Sequence, residues 1–207
     1  IDLSTVKTLR GLRMPGMARD LDSQLENPQS YKGLSFEERV AFLVDAESLS
    51  RRRNTVAQRI KEAKFSDPTA SIEAIEYFED RELNKSFITK LATFSYIQEN
   101  HHIVLKGATG AGKSYIANAL GVAACRKLYR VRYVNLPDLL YEFAIARSTN
   151  TQYKVKAAYA KLDLLILDEW LLRPVPESES YDLLELIDAC SRKGSIIFCT
   201  QYDTDEW

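Results

Sequence analysis

Gly107-Ala108-Thr109-Gly110-Ala111-Gly112-Lys113-Ser114 is the stretch whose reading decides the fold. It satisfies G-x-x-x-x-G-K-[ST] at every fixed position. The apolar run Ile103-Val104-Leu105 precedes it and reads as a buried strand. From Tyr115 onward, Ile116, Ala117, Leu120, Ala123, Ala124 and Leu128 recur at helical spacing. Strand, glycine loop and helix form the context in which the motif has a mechanism. The glycines let successive backbone N–H groups turn inward around a phosphate with no Cβ in the way. The helix start adds its unpaired amides and the positive end of its dipole. Gly107 through Ser114, with Tyr115 beside them, are the candidate phosphate-binding residues. Lys113 is expected to reach the β- and γ-phosphates of ATP, and the Ser114 hydroxyl to ligate Mg²⁺.

Outward from the loop, the next decisive run is Leu164-Leu165-Ile166-Leu167-Asp168-Glu169. A continuous apolar strand is buried on both faces, as in a parallel sheet between helices. Asp168 at its end is expected to complete the Mg²⁺ shell beside Ser114. Glu169 is placed to polarise a water for attack on the γ-phosphate. Val131-Arg132-Tyr133-Val134 and Ile196-Ile197-Phe198-Cys199 read as two further strands. Thr200 and Gln201 follow the last of them, at the carboxyl end where a parallel sheet presents its crevice. Either side chain is a candidate to contact the γ-phosphate or position the water.

The other elements are helical. A stretch carrying Leu9, Leu12, Met14, Met17 and Leu21 is interrupted at Pro15-Gly16. Ser35-Phe36-Glu37-Glu38 is a capping box. The helix it opens is expected to bury Phe36, Val40, Leu43, Val44, Leu49, Val56 and Ile60. Ser66-Asp67-Pro68 marks a boundary, giving a helical module over 1–66 and an α/β core over 67–207. Within the core, an extended piece near Ile75–Phe78 and a single helix over Asn84–Ile97 are expected before the first strand.

Hydrophobic residues make up 45% of the 207, enough for an ordinary core. The net charge of −1 excludes no partner, but its distribution is uneven. Residues 126–161 carry eight basic side chains against two acidic, a net of +6, and residues 162–188 carry eight acids against Arg173 alone, a net of −7. This asymmetry reads either as a binding face or as solvated helix surface. Arg147, Lys154 and Lys156, interleaved with Tyr153 and Tyr159, are the candidates for DNA phosphate contacts, which position a protein without reading sequence. Arg51-Arg52-Arg53 is a second basic run. Cys125, Cys190 and Cys199 are scattered without a C-x-x-C pair and read as reduced core thiols of a cytoplasmic protein. No apolar run approaches membrane-spanning length, and no signal-peptide pattern opens the chain. His101 and His102 stand without a second ligand cluster, which argues against a metal site of their own.

The GATGAGKS loop, the LLILDE strand end and the strand ending in FCTQ resemble the AAA+ ATPases of the initiator and helicase-loader branch. The segment Asp168 to Pro174 and the small helical N-terminal module bring the resemblance closer to the IstB-type helpers of insertion-sequence transposition. The resemblance implies an ATP-dependent, homo-oligomeric, largely non-specific binder of double-stranded DNA that directs a transposase to its target. It also implies that helices between the second strand and the Asp-Glu strand, here about 137–161, meet the DNA. A DnaC-type helicase loader is the alternative on the same core. A metabolic P-loop kinase fits less well, since Glu169 directly after Asp168 favours activating water. The family's arginine finger and helical lid are not visible before Trp207, and Arg173 and Arg192 are weak substitutes, so the trans-acting arginine is unassigned.

Overall fold

Four strands, β1 (Ile103–Lys106), β2 (Val131–Asn135), β3 (Leu164–Asp168) and β4 (Ser195–Thr200), pair in parallel in the order β1-β4-β3-β2. They are seen in a computed structural model that describes residues 3–78, 83–172 and 174–202. β3 lies between two neighbours, and all five of its residues are buried. Its alternate side chains enter opposite layers. Leu164 and Ile166 join the apolar cluster on one face, and Leu165 and Leu167 join the cluster on the other. A fully buried Leu or Ile contributes about 1.5–3 kcal/mol. The four together supply roughly 6–12 kcal/mol, comparable to the net stability of a whole domain. The expected parallel sheet between helices is therefore the observed one.

The chain divides into two compact units, Ile1–Ala57 and Gln58–Trp207. In the first, α1 (Leu3–Gly11) and α2 (Pro15–Glu26) precede the start of α3 (Phe36–Ala63). The capping box at the head of α3 is formed in both directions. The Glu38 carboxylate accepts from the Ser35 N–H at 2.7 Å, and Ser35 Oγ accepts from the Glu38 N–H at 3.2 Å.

The inward face of α3 differs from expectation. Phe36, Val44 and Leu49 are exposed, Phe36 at 83%. Glu47 and Ser50 are buried instead, in register with half-buried Val40, Leu43 and Ala46. The reason is the contact with α2. A Cβ on Gly16 would lie 2.4 Å from the Ala46 carbonyl oxygen, so the two backbones approach as closely as a glycine allows. The Glu47 carboxylate reaches the start of α2 and accepts from the N–H groups of Gly16 and Met17 at 2.8 and 3.2 Å. It supplies the anion at a helix N-terminus that Met14, the capping position, cannot supply. Gln24, 2% exposed, is held by Asp20 and Arg39. A hydrophobic-periodicity reading misses a helix interface built on glycine and hydrogen-bonded polar groups.

In the second unit, α4 (Lys85–Leu91), α5 (Ser95–Gln98) and α6 (Lys113–Arg126) pack with the end of α3 on one face of the sheet. The single helix expected over Asn84–Ile97 is two. Phe94 adopts φ 61° between them, and its ring is buried against Tyr96 and Tyr129 at centroid distances of 6.4 and 6.1 Å. Burial of that ring outweighs continuation of the helix. The opposite face carries α7 (Leu136–Ser148), α8 (Gln152–Tyr159) and α9 (Glu177–Ser191). All three cysteines are free and buried. Burial pushes the Cys125 and Cys190 thiols up to about 12, so they are neutral core groups. No described helix is long and apolar enough to cross a membrane.

The contact between α2 and α3 sets a test. Gly16→Ala forces a Cβ into the Ala46 carbonyl and is expected to cost about 1–3 kcal/mol, read as a fall in Tm. Glu47 has its carboxyl held below the usual range by Arg51 and by the N–H groups of Met17 and Gly16. Its contribution is therefore complete above the ordinary carboxylate range and fades as pH falls through the lowered folded-state value. Glu47→Gln should lower Tm at pH 7, and the gap to wild type should close on acidification. A gap that stays constant with pH would remove the carboxylate from this role.

Candidate functional site

The loop from Gly107 to Ser114 joins the carboxyl end of β1 to α6. Gly110 and Gly112 take φ values of 79° and 87°, the left-handed region that a side chain would resist. The Gly107 N–H donates to the Thr200 carbonyl at 3.3 Å, which ties the loop to the end of β4. Gly112 is the capping residue of α6 and has no side chain to bond the first amides, so those donors stay open toward the loop. Lys113 folds back across the loop. Its Nζ donates to the carbonyls of Gly107 and Ala108 at 2.7 and 2.8 Å. Tyr115, half-buried, places its hydroxyl within 3.5 Å of both backbone polar groups of Ser71.

Two hollows flank the loop. One, of about 130 Å³, is lined by Thr109, Gly110, Lys113, Ser114, Asp168, Glu169 and Gln201, with Thr200 and Cys199 at its floor. The structure thus brings the predicted lysine, serine and both acids together with the end of β4. The other, of about 810 Å³, opens between the loop and the segment before it. Ala108 and Ala111 line it, together with Ile75, Asn84, Phe87, Tyr115 and Ile116. This larger, mostly apolar hollow escapes the sequence reading, because the wall facing the loop comes from stretches with no motif. The expected extended piece at 75–78 belongs to this wall and joins no described strand.

Asp168 and Glu169 have different surroundings. Asp168 is 6% exposed and accepts from the Tyr133 hydroxyl at 2.5 Å and from the Glu169 N–H at 2.8 Å. Burial pushes the Tyr133 phenol up, and the Asp168 carboxylate adds to the shift, so the phenol is a fixed donor. The register makes this contact possible. β2 pairs with β3 so that Asn135 lies opposite Asp168, with Tyr133 two residues back on the same strand. Glu169 is exposed at φ 54° and turns away from the sheet. Asn118, 1% exposed, donates to the Ser114 carbonyl at 2.7 Å and to Ser66 Oγ at 2.8 Å, anchoring the first turn of α6. One polar residue four positions after Ser114, on an otherwise apolar face, was the available signal for Asn118.

Thr200 and Gln201 separate clearly. The Thr200 hydroxyl is fully buried, donates to the Trp170 carbonyl at 3.1 Å and accepts from the Tyr202 N–H at 3.1 Å. Its polar group serves the backbone, and Gln201 is the exposed polar side chain at the strand end.

The charge asymmetry is partly internal. Arg147 of α7 lies 3.6 Å from Glu179 and 3.7 Å from Asp182 of α9. Lys156 of α8 contacts Asp182 at 3.0 Å and also pairs with Glu185. Two of the three candidate DNA cations thus face the acidic segment of their own chain, which counting charges along a sequence cannot reveal. Lys154 is exposed, its Nζ 5.8 Å from the Tyr153 ring centroid. Arg192, just past the end of α9, pairs with Asp188 of that helix. Arg173 lies outside the described residues.

A four-stranded parallel sheet with this order, a phosphate-type loop after β1 and acids at the end of β3 define a P-loop α/β protein of the AAA+ kind. Similar folds are those of AMPPCP-bound DnaA from Aquifex aeolicus (TM-score 0.62, 19% identity, covering 69% of this chain and 45% of that one) and the DnaC helicase loader (TM-score 0.54, 16% identity, 65% and 78%). The chain thus spans less than half the length of that DnaA, and at these identities the likeness concerns the fold alone. The family model described as IstB-like ATP binding protein matches residues 7–207, and the chain belongs to that family. Relatives include the ATP-binding protein of insertion sequence IS1162 from Pseudomonas fluorescens, 36% identical over 95% of this chain and 85% of the relative. The insertion-sequence ATP-binding protein y4pL of Sinorhizobium fredii is 30% identical over 98% and 82%.

The Thr200 geometry is testable without a ligand. Thr200→Val leaves the Trp170 carbonyl and the Tyr202 N–H without their partner and should cost about 1–3 kcal/mol in thermal or urea unfolding. Gln201→Ala should leave stability unchanged. Equal stability of the two variants would contradict the assignment.

Proposed function

We propose that the protein is an ATP-binding and ATP-hydrolysing helper of insertion-sequence transposition, which assembles with copies of itself on double-stranded DNA and works with the transposase. The observation that carries the ATP chemistry is the convergence of Lys113, Ser114, Asp168, Glu169 and Gln201 on one small hollow beside the glycine loop. The transposition setting is supported by the family and by the names of the insertion-sequence relatives.

In this reading the triphosphate lies on the open amides of Gly110, Gly112, Lys113 and Ser114, while the Ala111 N–H holds the loop's own turn to the Ala108 carbonyl at 3.2 Å, and the nucleoside fills the larger hollow between Ile75, Phe87 and Tyr115. Phosphate oxygens replace the Gly107 and Ala108 carbonyls as partners of Lys113, exchanging neutral acceptors for charged ones. The Ser114 hydroxyl and the Asp168 carboxylate suit Mg²⁺, which keeps most of its shell from water and phosphate and needs only one or two protein oxygens. When bound, the ion neutralises charge developing on the phosphates. Tyr133 orients Asp168. Glu169, exposed over the hollow, takes the proton of the attacking water, and Gln201 contacts the γ-phosphate or that water. Thr200 acts by holding the strand end. ATP favours self-assembly, and a neighbouring subunit supplies an arginine to the γ-phosphate.

For DNA, Lys154 is the exposed cation of the α7–α8 segment. Arg147 and Lys156 join it by exchanging carboxylate partners for phosphates. Such contacts are largely indifferent to sequence.

Lys113→Ala should abolish ATP binding at the glycine loop in calorimetric titration. Glu169→Gln should bind ATP as wild type does while turnover falls at least about 100-fold, the usual range for loss of a general base. Equal turnover in Glu169→Gln and wild type would sink the assignment of Glu169. Tyr133→Phe removes the hydroxyl behind Asp168. The Mg²⁺ concentration giving half-maximal ATPase should rise about 10-fold, while ATP binding in EDTA stays the same. An unchanged Mg²⁺ requirement would make Tyr133 merely structural.

A further inference from the structure

The strands are parallel, so their amino ends lie together at the end of the sheet away from the glycine loop. There, between the last turn of α3, the start of β2 and the end of α8, is a cleft of about 440 Å³. Its charged lining is Arg59, Lys64, Arg130, Arg132 and Lys161 against Glu62 and Glu142. The cations outnumber the carboxylates, and neither carboxylate forms an ion pair with them among the described residues. Glu62 Oε1 accepts from Gln58 Nε2 at 2.7 Å, and Glu142 Oε2 from the Tyr159 hydroxyl at 2.8 Å. Among the described residues, Arg130 alone of the five has an ion pair, with Asp163 at 3.4 Å.

The guanidinium groups of Arg59 and Arg132 carry a second, independent sign. The Nε atom of each is buried and has no hydrogen-bond partner among the described residues. Arg132 satisfies part of its fork by donating from Nη1 to the Glu62 carbonyl at 3.3 Å, a neutral acceptor. Two half-buried guanidiniums with orphaned donors, beside two exposed lysines, form an unbalanced positive site. A planar fork of N–H donors matches the oxygens of a phosphate, and ammonium groups add point charge at the rim.

We propose that this cleft is a second anion site, separate from the glycine loop, which holds a phosphate group: Arg59 and Arg132 bind it from within, and Lys64 and Lys161 draw it in. The phosphate belongs either to a nucleic-acid backbone or to a free phosphorylated compound. The first source rests on the DNA-binding reading above, and the second does not.

The test uses the full chain carrying Lys113→Ala, so that the glycine loop does not contribute. Inorganic pyrophosphate is titrated calorimetrically, and a labelled duplex is followed by fluorescence anisotropy across a salt series. In that background, Lys64→Glu with Lys161→Glu reverses two exposed charges and should leave Tm intact. Arg59→Gln with Arg132→Gln is the second variant, compared at matched folded fraction. Pyrophosphate affinity is expected to fall at least 10-fold in both variants. If the occupant is nucleic acid, duplex affinity falls as well, and the salt slope drops by about two units in the lysine variant, one per lost phosphate contact. Loss of pyrophosphate binding with unchanged duplex binding assigns the cleft to a free phosphorylated compound. A duplex effect without measurable pyrophosphate binding assigns it to the backbone. If neither ligand responds to either variant, the proposal is overturned. ATP binding by the protein with native Lys113 reports on the glycine loop independently, so failure there and failure here are distinguishable.

Discussion

Everything at the candidate site hangs on β3 being hydrogen-bonded on both edges while buried on both faces. Pairing with β2 puts Asn135 opposite Asp168, and pairing with β4 puts Phe198 opposite Leu167. β4 in turn pairs with β1 so that Thr200 lies opposite Lys106, immediately before the glycine loop. The carboxyl ends of all four strands are thereby fixed in register. Because side chains alternate along a strand, a one-residue slip at β3 would send Asp168 to the other layer and part it from Tyr133. The apolar side chains of β3 prevent that slip, since each fits one of two different clusters. The geometry of the candidate site is a by-product of core packing.

The two ends of the sheet then acquire different chemistry for a structural reason. At the carboxyl ends, loops leave the strands with open amides and short acidic side chains. At the amino ends, long side chains of Arg130, Arg132 and Lys161 flank the strand starts, where their stems lie on apolar surface and their heads reach the cleft. On the helical face, Arg147 and Lys156 are held by α9, so the strongly basic and strongly acidic segments partly answer each other. Among the described residues, Arg59, Lys64, Arg132 and Lys161 at the amino-end cleft have no ion pair of this kind.

What was legible in the sequence was what the backbone makes local. Glycines at fixed spacing, a four-residue apolar run ending in two acids, and a serine three residues before a glutamate each carry their structural consequence within one turn or one strand. What was not legible depended on residues far apart in the chain. The Tyr133–Asp168 bond spans two strands, and the polar packing of Glu47 against Gly16 spans two helices. The Thr200 hydroxyl looked like a site group because it ends a strand at the crevice, yet its direction is set by Trp170 thirty residues earlier. Phe94 broke a helix that propensity favoured because its ring had a place in the core. In each case the deciding partner lay outside any window in which periodicity is read.

Trp170 shows how the exposed acid is kept exposed. Glu169 and Leu171 both take positive φ, at 54° and 52°, which costs about 1–2 kcal/mol for each residue with a side chain. Between them, Trp170 is fastened three ways. Its N–H donates to the Cys199 carbonyl at 2.9 Å, its carbonyl accepts from Thr200, and its ring packs on Phe198 at a centroid distance of 4.9 Å. The ring is buried in the cluster with Leu165 and Leu167. Burying an aromatic of this size outweighs the strain on either side. The chain must therefore turn sharply out of β3 and back again within three residues, and Glu169 is the residue at the outward point. A small or polar residue at 170 would relax the two flanking conformations and let Glu169 rejoin the line of the strand, away from the hollow shared by Lys113 and Ser114. The resemblance carried by Asp168-Glu169-Trp170 thus has a mechanical content: the aromatic is the anchor that holds the acid out.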